Sequence, residues 1–310
     1  MQYALVRICI FAENISMQFS GEIAAIATAL CWTASALFFE NAGKQLGALP
    51  LNIIRIVLAI LFLGIITLLT RGKFFPTDAT PYQWFWLSLS GFVSFFIGNS
   101  FMYHSYTIIG ARMGQLIMNF TPVITVFVAI SFLNEQLSAL KLLAVFTVVV
   151  GIFMAVIGRQ GYRFRLTISF KGFVFAFLGA VGQAFGFIFT KKGIGDYDPV
   201  AGTQIRAIAG LLGLILFISL IRQWKPVLTA TQNKASMKVV LWGTIAGPVV
   251  GVSLSMYAIQ HTQTGIAATL IGLVPIFIIV PAVFFMKEKI SLMQVLGALV
   301  SVGGSVLFFV

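Results

Sequence analysis

Charge is what this sequence has least of. Only 9% of its 310 residues are Asp, Glu, Lys or Arg, against about 25% in soluble domains. That scarcity excludes a water-soluble globule, whose surface needs far more polar groups. Histidine and cysteine are rarer still, at two each. Cys9 and Cys31 make no disulfide framework, and two histidines with no Cys/His/Asp cluster make no zinc site. P-loop, HExxH and GxSxG patterns are all missing. The sequence therefore reads as a non-enzyme that hydrolyses no ATP itself, with no cofactor and no metal site. Acids are the scarcer sign, eight against 20 Lys and Arg, for a net charge of +12. The basic residues fall mostly between apolar runs, where they orient helices and meet anionic lipid headgroups. Nucleic acid is excluded as a partner on that ground.

What is present is hydrophobic sequence: 59% of residues, with a mean hydropathy of +1.02. A helix needs about 20 apolar residues to cross the hydrocarbon layer. Ten such segments follow one another, near 22–42, 50–70, 83–106, 114–133, 139–158, 172–190, 199–221, 238–259, 265–286 and 291–310. They show no period-2 alternation and are too long for barrel strands. The connections are short and polar, as in NEQL and KEKI. The expected class is an all-α, multi-pass integral membrane protein of ten transmembrane helices.

The chain also repeats itself. At an offset of 151, Gly21 meets Gly172, Arg55 meets Arg206 and Arg71 meets Arg222. At an offset of 153, Gly98 meets Gly251, Pro122 meets Pro275, Glu135 meets Glu288 and Gly151 meets Gly304. Matches at Arg, Pro and Glu do not arise from apolar filler. They define a duplicated five-span unit, at 20–158 and 172–310, with a linker at 159–171. Five is odd, so the second unit starts from the opposite side and the halves are inverted. Secondary carriers use that architecture for alternating access. Residues 1–19 form an extension, within which Met17, just before the first long span, is a candidate start.

These residues resemble the EamA-like permeases of the drug/metabolite transporter superfamily. The resemblance rests on an ordered set: Trp32, Arg55, Pro122, Glu135 and Gly151 in the first half, and Arg206, Pro275, Glu288 and Gly304 in the second. Gln183 stands where the second half would carry the Trp. Glu40 stands where the family often has Lys, and Lys191 keeps that Lys. The resemblance implies a carrier of a small organic metabolite in the cytoplasmic (inner) membrane, often an exporter. A drug or nucleotide-sugar carrier of the same superfamily and a non-transporting membrane scaffold remain alternatives. Membrane lipids, a small-molecule substrate and a coupling ion or counter-substrate are the expected partners. It also implies cytoplasmic termini, whereas the basic residues, six on the terminus side and twelve on the other, put the termini outside. We follow the resemblance.

Polar residues inside apolar spans are the site candidates. Trp32, Asn99, Tyr103, Gln115, Asn119, Gln183 and Tyr257 either line a substrate cavity between the halves or hydrogen-bond helix to helix. Glu40, Arg55, Lys191 and Arg206 are the charged candidates. Arg55 lies close enough to a helix end to snorkel, and Glu40 is either its interfacial ion-pair partner or a coupling carboxylate. Lys191 and Arg206 repel each other, so Asp196 and Asp198 or an anionic group of the substrate must neutralise them.

Overall fold

The computed structural model describes residues 20–133, 139–160, 163–166, 168–261, 270–284, 287–288 and 290–307. The expectations for residues 1–19, for Glu135 and for the start of the ninth span lie outside these. Among the described residues, six helical stretches are long and apolar enough to cross a membrane: Ser20–Leu46, Ala48–Arg71, Pro81–Met118, Phe170–Ile194, Pro199–Leu220 and Lys234–Ala258. Shorter apolar helices span Leu142–Val156, Val274–Phe284 and Leu292–Leu307.

The first two stretches are α1 (Ser20–Leu46) and α2 (Ala48–Arg71). The third begins with α3 (Pro81–Gly91), where Thr80 and Gln83 form a reciprocal capping box ahead of Pro81, satisfying two otherwise orphaned N–H groups. It then widens into a π-helical segment, Phe92–Gly98, and continues as α4 (Asn99–Met118). The helix α5 (Phe120–Leu133) and α6 (Ala139–Val156) complete the first half. The second half holds α7 (Phe170–Ile194), α8 (Pro199–Leu220), α9 (Trp224–Gln232) and α10 (Lys234–Thr244). A second π-helical segment, Ile245–Gly251, leads into α11 (Val252–His261). The chain ends with α12 (Val274–Phe277), α13 (Ile279–Phe284) and α14 (Leu292–Leu307).

Three features depart from the expectation of ten plain helices. The linker is not wholly irregular: β1 (Ile157–Gln160) and β2 (Arg163–Leu166) pair antiparallel, with Ile157 opposite Leu166. The reason lies in Arg163-Phe164-Arg165-Leu166, whose alternation has the two-residue period of a strand. The fold is thus helical with one short ribbon. The loop before the eighth span carries α9, an amphipathic helix rather than an open connection. The third and fourth spans also run on as one helical stretch, broken at Gly110, whose φ of 79° and ψ of 160° are non-helical. Side chains avoid such positive φ, and glycine does not.

The repeat is visible in the backbone itself. The two π-helical segments lie 153 residues apart, the same offset that aligns their final glycines, Gly98 and Gly251. A turn at Asn119 interrupts the fourth span, and a turn at 272–273 interrupts the ninth at the matching place. The downstream prolines, Pro122 and Pro275, lack the N–H that would continue the helical bonding. π-Segments and breaks of this kind recur at functional sites.

Packing exchanges partners between the halves. α1 lies against α10 and α11, while α7 lies against α3 and α4. α2 packs on α8, and α6 packs on α14. The approach of α7 to the third span is backbone to backbone: a Cβ on Gly182 would stand 2.6 Å from the Gly98 Cα.

Outside the helices, a small polar cluster ties the two halves where α2 ends and α8 begins. Asp78 pairs with Arg71 and accepts a 2.9 Å hydrogen bond from the Tyr197 hydroxyl, and Asp198 lies 3.9 Å from Arg71. Burial alone would raise the Asp78 carboxyl, but the Tyr197 hydroxyl and the Arg71 and Lys73 cations outweigh it and hold it below its ordinary value. A depressed carboxyl stabilises the folded state above its unfolded pKa of about 3.9 and loses that contribution as pH falls through the folded value. Thermal melts of the purified protein should therefore steepen in their pH dependence below about pH 4, and Asp78→Asn should flatten that limb.

Candidate functional site

The third span organises the polar interior. On α2, Asn52 and Arg55 are three residues apart and share a helix face. The Asn52 amide donates to the Phe95 carbonyl at 3.2 Å and to Ser100 Oγ at 3.0 Å. Its Oδ1 accepts from Arg55 Nε at 3.1 Å and from Nη2 at 2.9 Å. The Arg55 guanidinium then sits among Phe39, Phe95 and Tyr103, with Cζ 6.0, 5.7 and 5.0 Å from the ring centroids. Arg55 is 2% exposed. It does not snorkel, and it does not pair with Glu40.

Arg206 approaches the same π-segment from the second half. Each arginine is the eighth residue of its helix. Arg206 Cζ stands 4.6 Å from the Phe95 centroid, and Nη2 donates to Ser94 Oγ at 3.2 Å. Its Nε is buried without a hydrogen-bond partner among the described residues. One phenylalanine ring is therefore shared by two buried cations, and neither makes an ion pair among the described residues. An unpaired buried ion costs several kcal/mol, of which a desolvated cation–π contact returns about 2.

The expected acid partners are engaged elsewhere. Glu40 is 1% exposed. Its Oε1 takes Lys44 Nζ at 2.5 Å, and its Oε2 takes the Ala111 N–H at 2.6 Å. It thereby caps the helical segment that restarts after Gly110, where an anion is favoured. Arg112, next in sequence, reaches across to Glu288 at 2.7 Å and joins the two halves. Asp198 caps α8 at the Ala201 N–H, and Asp196 is exposed. Lys191 is also exposed, apart from Arg206. Replacing Glu40 with Ala strands the buried Ala111 N–H and should cost about 1–3 kcal/mol. Glu40→Gln keeps an acceptor there and should cost about 1 kcal/mol or less. Paired thermal melts of the two variants test this ordering.

The other candidates separate into groups. Tyr103 joins the Arg55 cluster, with its ring also edge-on to Tyr106. Gln115 donates to the Tyr106 hydroxyl at 2.7 Å. Asn119 donates to Ser301 Oγ at 3.2 Å, bridging the break in the fourth span to α14. Trp32 packs on the end of the second π-segment, 2.6 Å from where a Gly251 Cβ would lie. Tyr257 is 39% exposed and stacks on His261. Asn99 and Gln183 flank the Gly98–Gly182 approach, and their side-chain amides make no hydrogen bond among the described residues.

A family model for the EamA-like transporter family matches residues 19–157 and again 170–310. The chain belongs to the EamA-like transporter family. It is a multi-pass membrane protein and a transporter of the drug/metabolite superfamily, built from two EamA repeats. A solved crystal structure described only as that of a protein shares its fold, with a TM-score of 0.59 at 16% identity. The similarity covers 94% of this chain and 96% of that one. No curated protein sequence matches it.

Within this EamA-like transporter, several central residues had no prior sequence signal. Phe95 and Ser94 read as ordinary apolar-span residues, and Ser100 stood out only as the repeat counterpart of Ser253. Asn52 could have been found, since an amide three residues before an intramembrane Arg shares its face. Lys44 and Arg112 read as loop charges until Glu40 and Glu288 were seen to meet them.

Proposed function

We propose that this transporter is a secondary carrier that exports a small organic metabolite across the cytoplasmic membrane by alternating access. Ten spans are reached by adding α5, α6, α12–α13 and α14 to the six long stretches, as inverted units at 20–158 and 172–310 around a linker at 159–171. The observation that carries this reading is the exchange of partners: each half's first helix packs on the other half's third, with matching π-segments at both contacts. Such near-equivalent halves can rock about one central site. Asn99, Tyr103 and Gln183, polar and placed between the halves, are the substrate contacts of this reading. An ion gradient or a counter-substrate supplies the energy.

Among the described residues, salt bridges join the halves at two places, Arg112–Glu288 and Arg71–Asp198, the latter beside the Asp78–Tyr197 hydrogen bond. In alternating access each opens in turn. The test is counterflow of amino acids, organic acids, sugars and nucleobases into proteoliposomes. Cysteine pairs at 112/288 and 71/198, in a background with Cys9 and Cys31 replaced by Ser, should each block uptake when cross-linked and release it on reduction. Undiminished uptake with either pair locked would sink the mechanism.

A further inference from the structure

We infer that the transported substrate carries an anionic group, a carboxylate or phosphate, that is neutralised by Arg55 and Arg206 beside Phe95. This rests on the carrier reading above and names its substrate class.

The argument starts from the shortage of acids. The chain has eight, so their places can be followed one by one. Glu40 serves Lys44 and the Ala111 N–H. Asp78 and Asp198 serve Arg71, Asp198 also capping α8. Glu288 serves Arg112, and Asp196 is exposed in the turn before α8. Glu22 lies in the first turn of α1, and Glu13 and Glu135 fall outside the described residues. Arg55 and Arg206 pair with none of the described acids, although both are 2% exposed. Among the described residues, Arg55 has only the neutral Asn52 oxygen as acceptor, and Arg206 only the Ser94 hydroxyl, with its Nε unpartnered. Buried charges ordinarily find a counter-charge, and forked guanidinium donors match carboxylate and phosphate.

Position points to a solute rather than a lipid headgroup. The eighth residue of a helix lies about 10 Å along its axis, at about 1.5 Å per residue. In inverted halves the two arginines reach that depth from opposite faces, which brings both toward the middle of the bilayer. The unpaired amides of Asn99 and Gln183 border the same π-segment and can bind the substrate's neutral polar groups.

The experiment measures melting temperature of the purified full chain against succinate and inorganic phosphate, with succinamide and choline as controls at constant ionic strength. At least one anion should stabilise the wild type, and neither control should. Arg55→Met and Arg206→Met should each raise the half-saturating anion concentration at least tenfold. Removing an unpaired charge should leave each variant folded without ligand, and Arg206→Lys should recover part of the response. Absence of an anion response in the wild type, or a wild-type response retained in both Met variants, would overturn the inference. Repeating the titration in nanodiscs of phosphatidylcholine with and without phosphatidylglycerol separates the two phosphate sources. Loss of the solute response with phosphatidylglycerol would make a lipid the occupant and overturn it too. Counterflow of only neutral or cationic solutes would refute the anionic class and leave the carrier standing. Anion binding with no counterflow of any solute would refute the carrier and leave the site standing.

Discussion

Gly182→Val is expected to prevent assembly of the two halves. At this position a Cβ would meet the Gly98 Cα at 2.6 Å and the Gly98 nitrogen at 3.1 Å. Those are backbone atoms of the third span, so no rotamer change relieves the overlap. α7 would have to move away from α3 and α4 along its length, opening the contact that also includes Ser90, whose hydroxyl donates to the Gly186 carbonyl at 2.7 Å. Overpacking of a dense interior costs about 1–3 kcal/mol and occasionally more; here the upper end applies. Size-exclusion profiles and melting curves should show little monodisperse protein. Gly303→Ala is the matched control, because nothing lies within 4 Å of a Cβ there. It should be neutral, or stabilising by up to about 1 kcal/mol through helix propensity. A well-folded Gly182→Val protein would show that the close approach is not required.

The second large effect is expected at the bridge between Arg112 and Glu288. The Glu288 and Glu40 carboxylates both border Gly110, 3.7 and 3.3 Å from where its Cβ would be. Two acids and two bases, Lys44 and Arg112, thus gather at one break in the helix. The Arg112 and Glu288 side chains are 11% and 28% exposed, sheltered enough for the pair to exceed a surface salt bridge. Arg112→Glu would place a third carboxylate beside Glu40 and Glu288. A charge-assisted bond of this kind is worth about 1.5–3 kcal/mol. In the alternating-access mechanism proposed above, that corresponds to roughly 10- to 150-fold in the closed-to-open ratio at this end. Arg112→Glu and Glu288→Arg should each cut counterflow by at least tenfold, and the double reversal should restore most of it. If the double variant is as impaired as the singles, the pair does not act as a latch.

Much of the fold was legible because the bilayer restricts what a chain can do. Apolar runs of about 20 residues become helices since no other open structure satisfies the backbone in hydrocarbon. The recurrence of Arg, Pro, Glu and Gly at fixed offsets marked the two repeats that the EamA match then confirmed. Some helix termini carry local signals that went unread, as at Thr80 with Pro81 and Asp198 with Pro199. The interior distortions were less legible. Pro122 and Pro248 are local signals for the break at Asn119 and for the second π-segment, but the first π-segment has none and arises where helices of the opposite half pack on the third span. The ribbon of Ile157–Gln160 and Arg163–Leu166 did carry a local signal, the alternation in Arg163–Leu166, but its brevity hid it among charged linker residues.

Partner choice was decided only by tertiary structure. Glu40 lies 15 residues from Arg55, and sequence proximity made an ion pair the natural expectation. The chain instead turns at Gly110 and presents the Ala111 N–H to Glu40, while Lys44 sits one helical turn away on the same face. Arg112 was a loop charge by position, and Glu288 lies 176 residues further on; only folding makes them neighbours. The sequence alone determined that this protein is a duplicated membrane bundle with few acids. Tertiary structure determined that Arg55 and Arg206 receive none of those described. A charge in hydrocarbon pairs with what packing brings within a few ångströms, and across 310 residues that distance is set by how the helices cross, not by their order in the chain.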